Sequence, residues 1–286
     1  MKQNSYIRFP GFRSKALTLS YDDGVRQDKR LISIMQKHGL KGTFNINSGF
    51  FAEKYEGVER GRMTKQEALD LYIPCGMEVA AHGHQHFSLA KVDIGLALND
   101  IVTDRREHEA MFGRVINGMA YANGSYNEEV LDLLKKAGIE WARLAEESEK
   151  FDLPTNWLEW CGTCHHDNPR LMELAKAFVE QEEPRYYWSR KLKLFYVWGH
   201  SYEFDHNNNW ELIENFAEYV GGREDIWYAT NGEIFDYLQA SERLVFSANG
   251  SMVKNTTGLD IYHDYLEKQC VVPAGKTLEI CTGKIL

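Results

Sequence analysis

Five side chains could together hold a metal ion and move protons, and each follows an apolar, strand-like run. Ala16 to Tyr21 leads into Asp22-Asp23-Gly24, Met77 to Ala81 into His82-Gly83-His84-Gln85-His86, and Leu192 to Trp198 into Gly199-His200. Two imidazoles at i and i+4 plus one carboxylate are a donor set suited to zinc, and such a set leaves a coordination position open. A divalent ion there would lower the pKa of water towards about 7 and polarise a carbonyl. A neighbouring carboxylate would serve as general base, and a histidine from another strand end as general acid. Asp23, His82 and His86 are therefore the candidate ligands of one divalent metal, zinc first. Asp22 is the candidate base and His200 the candidate acid. Catalytic groups collect at the carboxyl ends of strands in α/β barrels and open α/β sheets, so elements of that kind are expected to carry them.

The elements between these residues alternate as that expectation requires. Leu31, Ile32 and Met35 have helical spacing within Gln27 to His38, and Gly39 ends the run. Thr43 to Asn47 alternates like a strand. Thr64 and Glu67 form a capping box that opens a helix through Leu71. Ile94 to Phe112 reads as a long amphipathic helix, Val115 to Tyr121 as a strand, and Ala122-Asn123-Gly124-Ser125 as a turn. Helix Asn127 to Ala137, strand Ile139 to Leu144, helices Pro169 to Glu180 and Glu211 to Val220, strand Asp225 to Thr230 and helix Gly232 to Ala240 follow. Such β-α alternation predicts a parallel α/β architecture. From about Ser241 the texture changes to short strands separated by Asn249-Gly250, Thr257-Gly258 and Pro273-Ala274-Gly275, which predicts a small antiparallel β appendage. The domains expected are residues 1–240, carrying the chemistry, and 241–286, a β extension packed on it.

Composition narrows the class. At 286 residues, 43% hydrophobic and 26% charged, the chain has the makeup of a globular protein with a large core. A net charge of -9 argues against a general nucleic-acid binder. No run is long enough to span a membrane, and the first residues lack the apolar stretch of a signal peptide, so a cytoplasmic location is expected. Five cysteines, an odd number, read as free thiols rather than a disulfide framework.

The motifs resemble those of the polysaccharide deacetylase family, the NodB-homology domain of carbohydrate esterase family 4, over roughly residues 10 to 240. Ser20-Tyr21-Asp22-Asp23-Gly24 is similar to the family's Thr-Phe-Asp-Asp-Gly, and His82-Gly83-His84-Gln85-His86 to its His-Ser/Thr-x-x-His. The resemblance implies a distorted (β/α)7 barrel, Asp22 as base, and Asp23, His82 and His86 as metal ligands. Gly83 stands where the family has a small hydroxyl residue whose hydrogen bond steadies the loop. Ala122 to Asn127 is similar to the third-motif region, with Ala120 at the position of the family's base-contacting Arg and Asn123 at that of its Tyr. A backbone donor for an oxyanion, from Asn123 or Gly124, is thus retained, while the Arg contact to the base is expected to be lost. Val197-Trp198-Gly199-His200 approximates the last motif, Leu-x-His.

Some features fall outside this set. Cys161-Gly162-Thr163-Cys164-His165 matches a c-type haem attachment pattern, but covalent haem requires export. Zinc held by Cys161, Cys164 and His166 would lack an evident fourth ligand. The preferred reading is a loop after Trp157 and Trp160, lining or capping the cleft; His165 or His166 reaching substrate from it is the less favoured extension, with His166 the candidate. Trp157, Trp160, Tyr186, Tyr187 and Trp188 are candidates to stack on sugar rings or to fill core. Glu203 and Asp205 either orient His200, contact substrate or belong to a solvated loop. The function expected is a metal-dependent hydrolase that removes acetyl groups from an N- or O-acetylated carbohydrate. The alternatives are hydrolysis of a non-peptide C–N bond in a small amide, or a degraded carbohydrate-binding protein. No nucleic-acid or membrane partner is expected.

Overall fold

Ser5–Arg8 forms β1 and Lys15–Asp22 forms β2. All eight residues of β2 are buried, as befits a parallel strand covered on both faces. The computed structural model describes residues 5–54, 57, 61–186, 189–265, 268–280 and 283–285. Around β2 the strands run parallel. On one side come Gly42–Ile46 (β3), Glu78–Ala81 (β4), Gly118–Ala120 (β5), Trp141–Glu147 (β6) and Trp160–Gly162 (β7). On the other side Lys193–Gly199 (β9) pairs with β2, and Cys164–His165 (β8) pairs with β9. Only Thr163 separates β7 from β8, and its N–H donates to the Tyr196 carbonyl at 2.8 Å. One extended segment thus binds β6 with its first half and β9 with its second, which closes the sheet. Counting β7 and β8 together, the ring has the seven positions of a distorted (β/α)7 barrel. Ile226–Tyr228 (β10) pairs with the start of β2.

The helices are Asp28–Lys37 (α1), Lys65–Leu71 (α2), Ile94–Phe112 (α3), Glu128–Lys136 (α4), Leu171–Glu180 (α5), Tyr202–His206 (α6), Trp210–Val220 (α7) and Asn231–Glu242 (α8). They begin and end where local chemistry dictates. Thr64 and Glu67 make the expected capping box on α2, and Thr230 and Glu233 make another on α8. Gly113 adopts φ +65° beyond α3 and donates its N–H to the Glu109 carbonyl, a left-handed stop.

Three expectations change. The strand expected over 115–121 contracts to β5, where Gly118 is required because a Cβ would lie 1.9 Å from the Trp141 ring. The segment after Trp157 is not a loop but β7 and β8, the staves that close the barrel. The polar run after His200 is the short helix α6.

The C-terminal strands are Val245–Phe246 (β11), Met252–Lys254 (β12), Ile261–Tyr265 (β13), Lys268–Val272 (β14), Thr277–Glu279 (β15) and Lys284–Ile285 (β16). They form antiparallel sheets of order β1-β13-β14 and β11-β12-β15-β16, so the two ends of the chain share a sheet. Val253, Ile261, Val272, Leu278 and Ile280 pack in one cluster with Phe9 and with Ile234, Tyr237 and Leu238 of α8. Among the described residues, no helix is long and apolar enough to cross a membrane.

Candidate metal centre and active site

The barrel brings the three motif ends to one mouth. Asp22 is the last residue of β2, His82 follows β4 directly, and His200 follows β9. Donor atoms of Asp23, His82 and His86 lie within 4.8 Å of one another. His86 Nε2 is 3.8 Å from Asp23 Oδ1, and the His82 and His86 ring centroids are 4.8 Å apart. His82 Nδ1 donates to the Ala120 carbonyl at 2.9 Å, which fixes the tautomer and leaves the Nε2 lone pair facing the cluster. Burial and the neighbouring His82 hold the His86 imidazole below its ordinary pKa, so it too offers a lone pair. These residues fit a divalent ion of the zinc type: two imidazoles, one of them already oriented by a carbonyl, and one carboxylate.

Two of the three candidate ligands sit on left-handed backbone, Asp23 with φ +86° and His86 with φ +53°. Non-glycine residues rarely adopt this region, and they keep it where surrounding contacts over-determine it. Asp23 donates its N–H to the Asn45 carbonyl at 2.9 Å and accepts from Arg62 at 3.2 Å, and buried carboxylates hold the loop that leads to His86. Asp104 on α3 accepts from the N–H groups of Ser48, His82 and Gly83 at 2.8–2.9 Å. Asp100, one turn earlier, accepts from the Gln85 N–H at 2.7 Å. Asn47 donates to the carbonyls of His82 and Gly83 at 2.9 and 2.8 Å. The hydroxyl missing at Gly83 is thus compensated by carboxylates under the loop. Gly83 itself has φ +82°, and a Cβ there would lie 2.5 Å from Asp100 Oδ2.

Asp22 is gripped from two sides. Asn45 Nδ2 donates to its Oδ1 at 2.8 Å, and the Arg143 guanidinium on β6 pairs with its Oδ2. Burial alone would raise the Asp22 pKa. The charge of Arg143, aided by His82 and His200, outweighs burial and holds this carboxyl well below its usual range. The expectation that the base has lost its arginine contact at Ala120 is therefore corrected: Arg143 makes the contact from the next strand. Arg143 is fully buried, and its guanidinium carbon lies 4.6 Å from the Trp198 ring centroid.

His200 completes the set. Its Nε2 is 4.0 Å from Asp22 Oδ2 and its Nδ1 is 3.3 Å from Glu203 Oε1. Burial lowers its pKa, but Glu203 and Asp22 more than reverse this, so His200 is a stronger base than free imidazole. Of the two acids that might orient it, Glu203 does so, three residues on in α6. Asp205 instead accepts from Trp210 Nε1 at 2.9 Å and from Gln27 at 3.0 Å.

The substrate-side candidates divide. Asn123 adopts φ +54° and its side chain donates to Ser88 Oγ at 3.1 Å, tying the loop after β5 to the loop after β4. Gly124's N–H is already engaged with the Tyr121 carbonyl at 3.1 Å, so Asn123 is the better candidate oxyanion donor. Trp160 is 1% exposed and packs edge-on against Trp141, Trp157 and Tyr196, which makes it core rather than a sugar platform. His166 is also buried, stacked on Phe204 and Tyr21, so it does not reach into the cleft as expected. Tyr187 and Trp188 lie outside the described residues. Cys161 and Cys164 are free thiols raised in pKa by burial, Cys164 to about 12, and neither joins a metal-capable cluster among the described residues.

Residues 11–142 match the family model described as polysaccharide deacetylase. Over those residues, a little under half of the chain, the sequence is similar to the polysaccharide deacetylase family. The barrel is similar to a family 4 carbohydrate esterase from Streptomyces lividans, solved in complex with acetate. That match has 13% identity and a TM-score of 0.51, and it covers 76% of this chain and 93% of the other. It is also similar to Puue allantoinase, with 11% identity, a TM-score of 0.60, and coverage of 82% and 93%. The match to the deacetylase PplD of Streptococcus pyogenes, at 15% identity and a TM-score of 0.45, covers 50% of this chain and 61% of that one. At these identities the likeness is one of fold. No curated protein is similar to the chain in sequence.

Proposed function

We propose that the protein is a metal-dependent hydrolase of the polysaccharide deacetylase type that removes acetyl groups from an N- or O-acetylated carbohydrate. The observation that carries the reading is the convergence of Asp23, His82 and His86 beside Asp22 and His200 at one barrel mouth. A divalent ion held by Asp23, His82 and His86, zinc by the chemistry of those donors, would supply Lewis acidity to an acetyl carbonyl and to water. The protein's own groups do the rest. Asp22, kept ionised by Arg143 and aimed by Asn45, takes a proton from the attacking water. The Asn123 N–H donates to the oxygen on which negative charge develops. His200, held by Glu203, gives its proton to the departing amine or alcohol.

Acetate release from acetylated oligosaccharides tests this. Asp22→Asn should bind zinc as the wild type does and release no acetate; normal turnover in that variant would remove Asp22 from the base role.

A second reading is hydrolysis of a small non-peptide amide at the same centre. The burial of Trp160 favours it, because one expected platform for a sugar ring is absent from the cleft. Turnover of small amides with no acetate release from saccharides would select this reading.

A further inference from the structure

We propose that His166, Asp167 and Glu203 form a second divalent-metal site, separate from Asp23, His82 and His86 and on the far side of His200. His166 Nε2 lies 3.3 Å from Glu203 Oε2 and 3.4 Å from Asp167 Oδ1. Tetrahedral ligands about 2.0–2.2 Å from an ion are spaced about 3.3–3.6 Å apart, so both distances from His166 match a coordination shell, and donor atoms of all three residues lie within 4.8 Å of one another.

The His166 ring supports this independently. It is wholly buried, yet neither of its nitrogens makes a hydrogen bond. Buried polar groups in folded proteins nearly always have a partner, and an orphan calls for an explanation such as an ion. Hydrogen bonding to the two carboxylates does not supply one, because the ring approaches both without the geometry of a donor. The ring is also fixed before any ion arrives. It stacks on Phe204 with centroids 4.2 Å apart and on Tyr21 at 5.7 Å. Gly199 leaves the room it occupies, since a Cβ at that position would lie 2.0 Å from His166 Nδ1.

The neighbouring His165 has the role of an outer partner. Its Nδ1 accepts from the Asp167 N–H at 3.1 Å, so in the neutral ring the proton sits on Nε2, which faces Glu203 Oε2 at 3.2 Å. Ligating carboxylates are commonly steadied by such a donor. The site is also reachable, because the Asp167 and Glu203 side chains are 36% and 24% exposed while His166 closes the floor. One imidazole with two carboxylates suits a borderline ion such as zinc or manganese. Glu203 would then serve two neighbours, with Oε2 towards the ion and Oε1 3.3 Å from His200 Nδ1.

The test counts ions on the full chain. The protein is stripped with chelator, titrated with zinc or with manganese, passed through a desalting column and analysed for bound metal. The wild type should hold two equivalents. Asp23→Ala should keep one, and the double variant Asp23→Ala/Asp167→Asn should keep none. Asp167 is half-exposed, so its replacement tests the site without disturbing the core; circular dichroism of each variant checks folding. His166→Gln on its own should lose one of the two ions. A single equivalent in the wild type that vanishes in Asp23→Ala would overturn the proposal, as would an ion in Asp23→Ala that survives Asp167→Asn and His166→Gln together.

Discussion

Arg143 on β6 and Asp22 at the end of β2 form a buried ion pair across the barrel mouth, between residues 121 positions apart in the chain. The pair does two things. It keeps Asp22 ionised where burial would otherwise protonate it, and it fixes which oxygen faces His82 and His200.

Arg143→Met should cost about 3–5 kcal/mol of stability, because it leaves a buried carboxylate without its partner. Asp22 has a depressed folded pKa, so its stabilising contribution is present above about 3.8 and is lost only as pH falls through the lower folded value. Without Arg143 that folded value rises. The acid limb of the pH–rate profile for acetate release should therefore move to higher pH, while zinc loading is retained. An unmoved acid limb in folded Arg143→Met would show that another group sets the charge of Asp22.

Asp104 and His108 form a second buried pair, 3.3 Å apart on α3, directly beneath the loop that carries His82. Burial opposes both charges, but each partner's field prevails, lowering the Asp104 pKa and raising that of His108. The Asp104 contribution is present above about 3.8 and is lost as pH falls through its lower folded value. The His108 contribution is present below about 6.5 and is lost as pH rises through its higher folded value. Asp104→Asn should weaken zinc binding by about 10–100-fold, since it removes one acceptor oxygen from the N–H groups of Ser48, His82 and Gly83. Its urea midpoint should also lose the part of the wild type's decline, starting at about pH 6.5, that comes from His108. A variant with wild-type zinc affinity would mean that Asp100 and Asn47 hold the loop without it.

The candidate site residues are legible because each follows an apolar run, and a run of that kind ends at the mouth of a parallel barrel. Asp22, Asp23, His82, His86 and His200 announce themselves by type and spacing. Arg143 does not, because it reads as one residue of a short strand and its partner is remote in sequence. A lone charge inside Trp141-Ala142-Arg143-Leu144 was the available signal, as was Asn45 inside a buried strand. Trp160 and His166 read as part of a cleft loop from sequence. Their burial follows from pairing with β6 and β9, a non-local fact with no local mark. The choice between Glu203 and Asp205 turned on α6, since a helix places position i+3, not i+5, beside His200.

Gly83 offers a direct test of local against family logic. The resemblance places a small hydroxyl residue there, so Gly83→Ser would be expected to restore a missing contact. The backbone says otherwise, with φ +82° and an Asp100 oxygen 2.5 Å from any added Cβ. Gly83→Ser should therefore destabilise the protein by about 1–3 kcal/mol and reduce zinc occupancy, and Gly83→Ala should do the same. Thermal unfolding and metal analysis read both effects. A Ser variant more stable than wild type, beside a destabilised Ala variant, would show that the hydroxyl finds a partner worth more than the strain.

Asp28 gives the fold a pH dependence of opposite sign to that of Asp22. It is fully buried at the start of α1, accepting from Tyr72 Oη at 2.7 Å and from the hydroxyl of Ser201, the residue after His200. Burial is the largest influence, and it pushes the carboxyl up to about 7 despite these hydrogen bonds. A raised carboxyl is protonated in the folded state and ionised in the unfolded chain between pH 3.8 and about 7. Stability is therefore lost as pH rises through that window. Glu78, raised to about 7 by burial under the start of α8, adds a second group of the same sign. Asp28→Asn, which carries no charge to bury, should be more stable than wild type at pH 8 by about 1–3 kcal/mol and close to it at pH 4. Urea unfolding at the two pH values measures the difference. Equal destabilisation at both would mean that Asp28 is needed as a carboxylate to hold Tyr72 and Ser201, and that its ionisation costs the fold nothing.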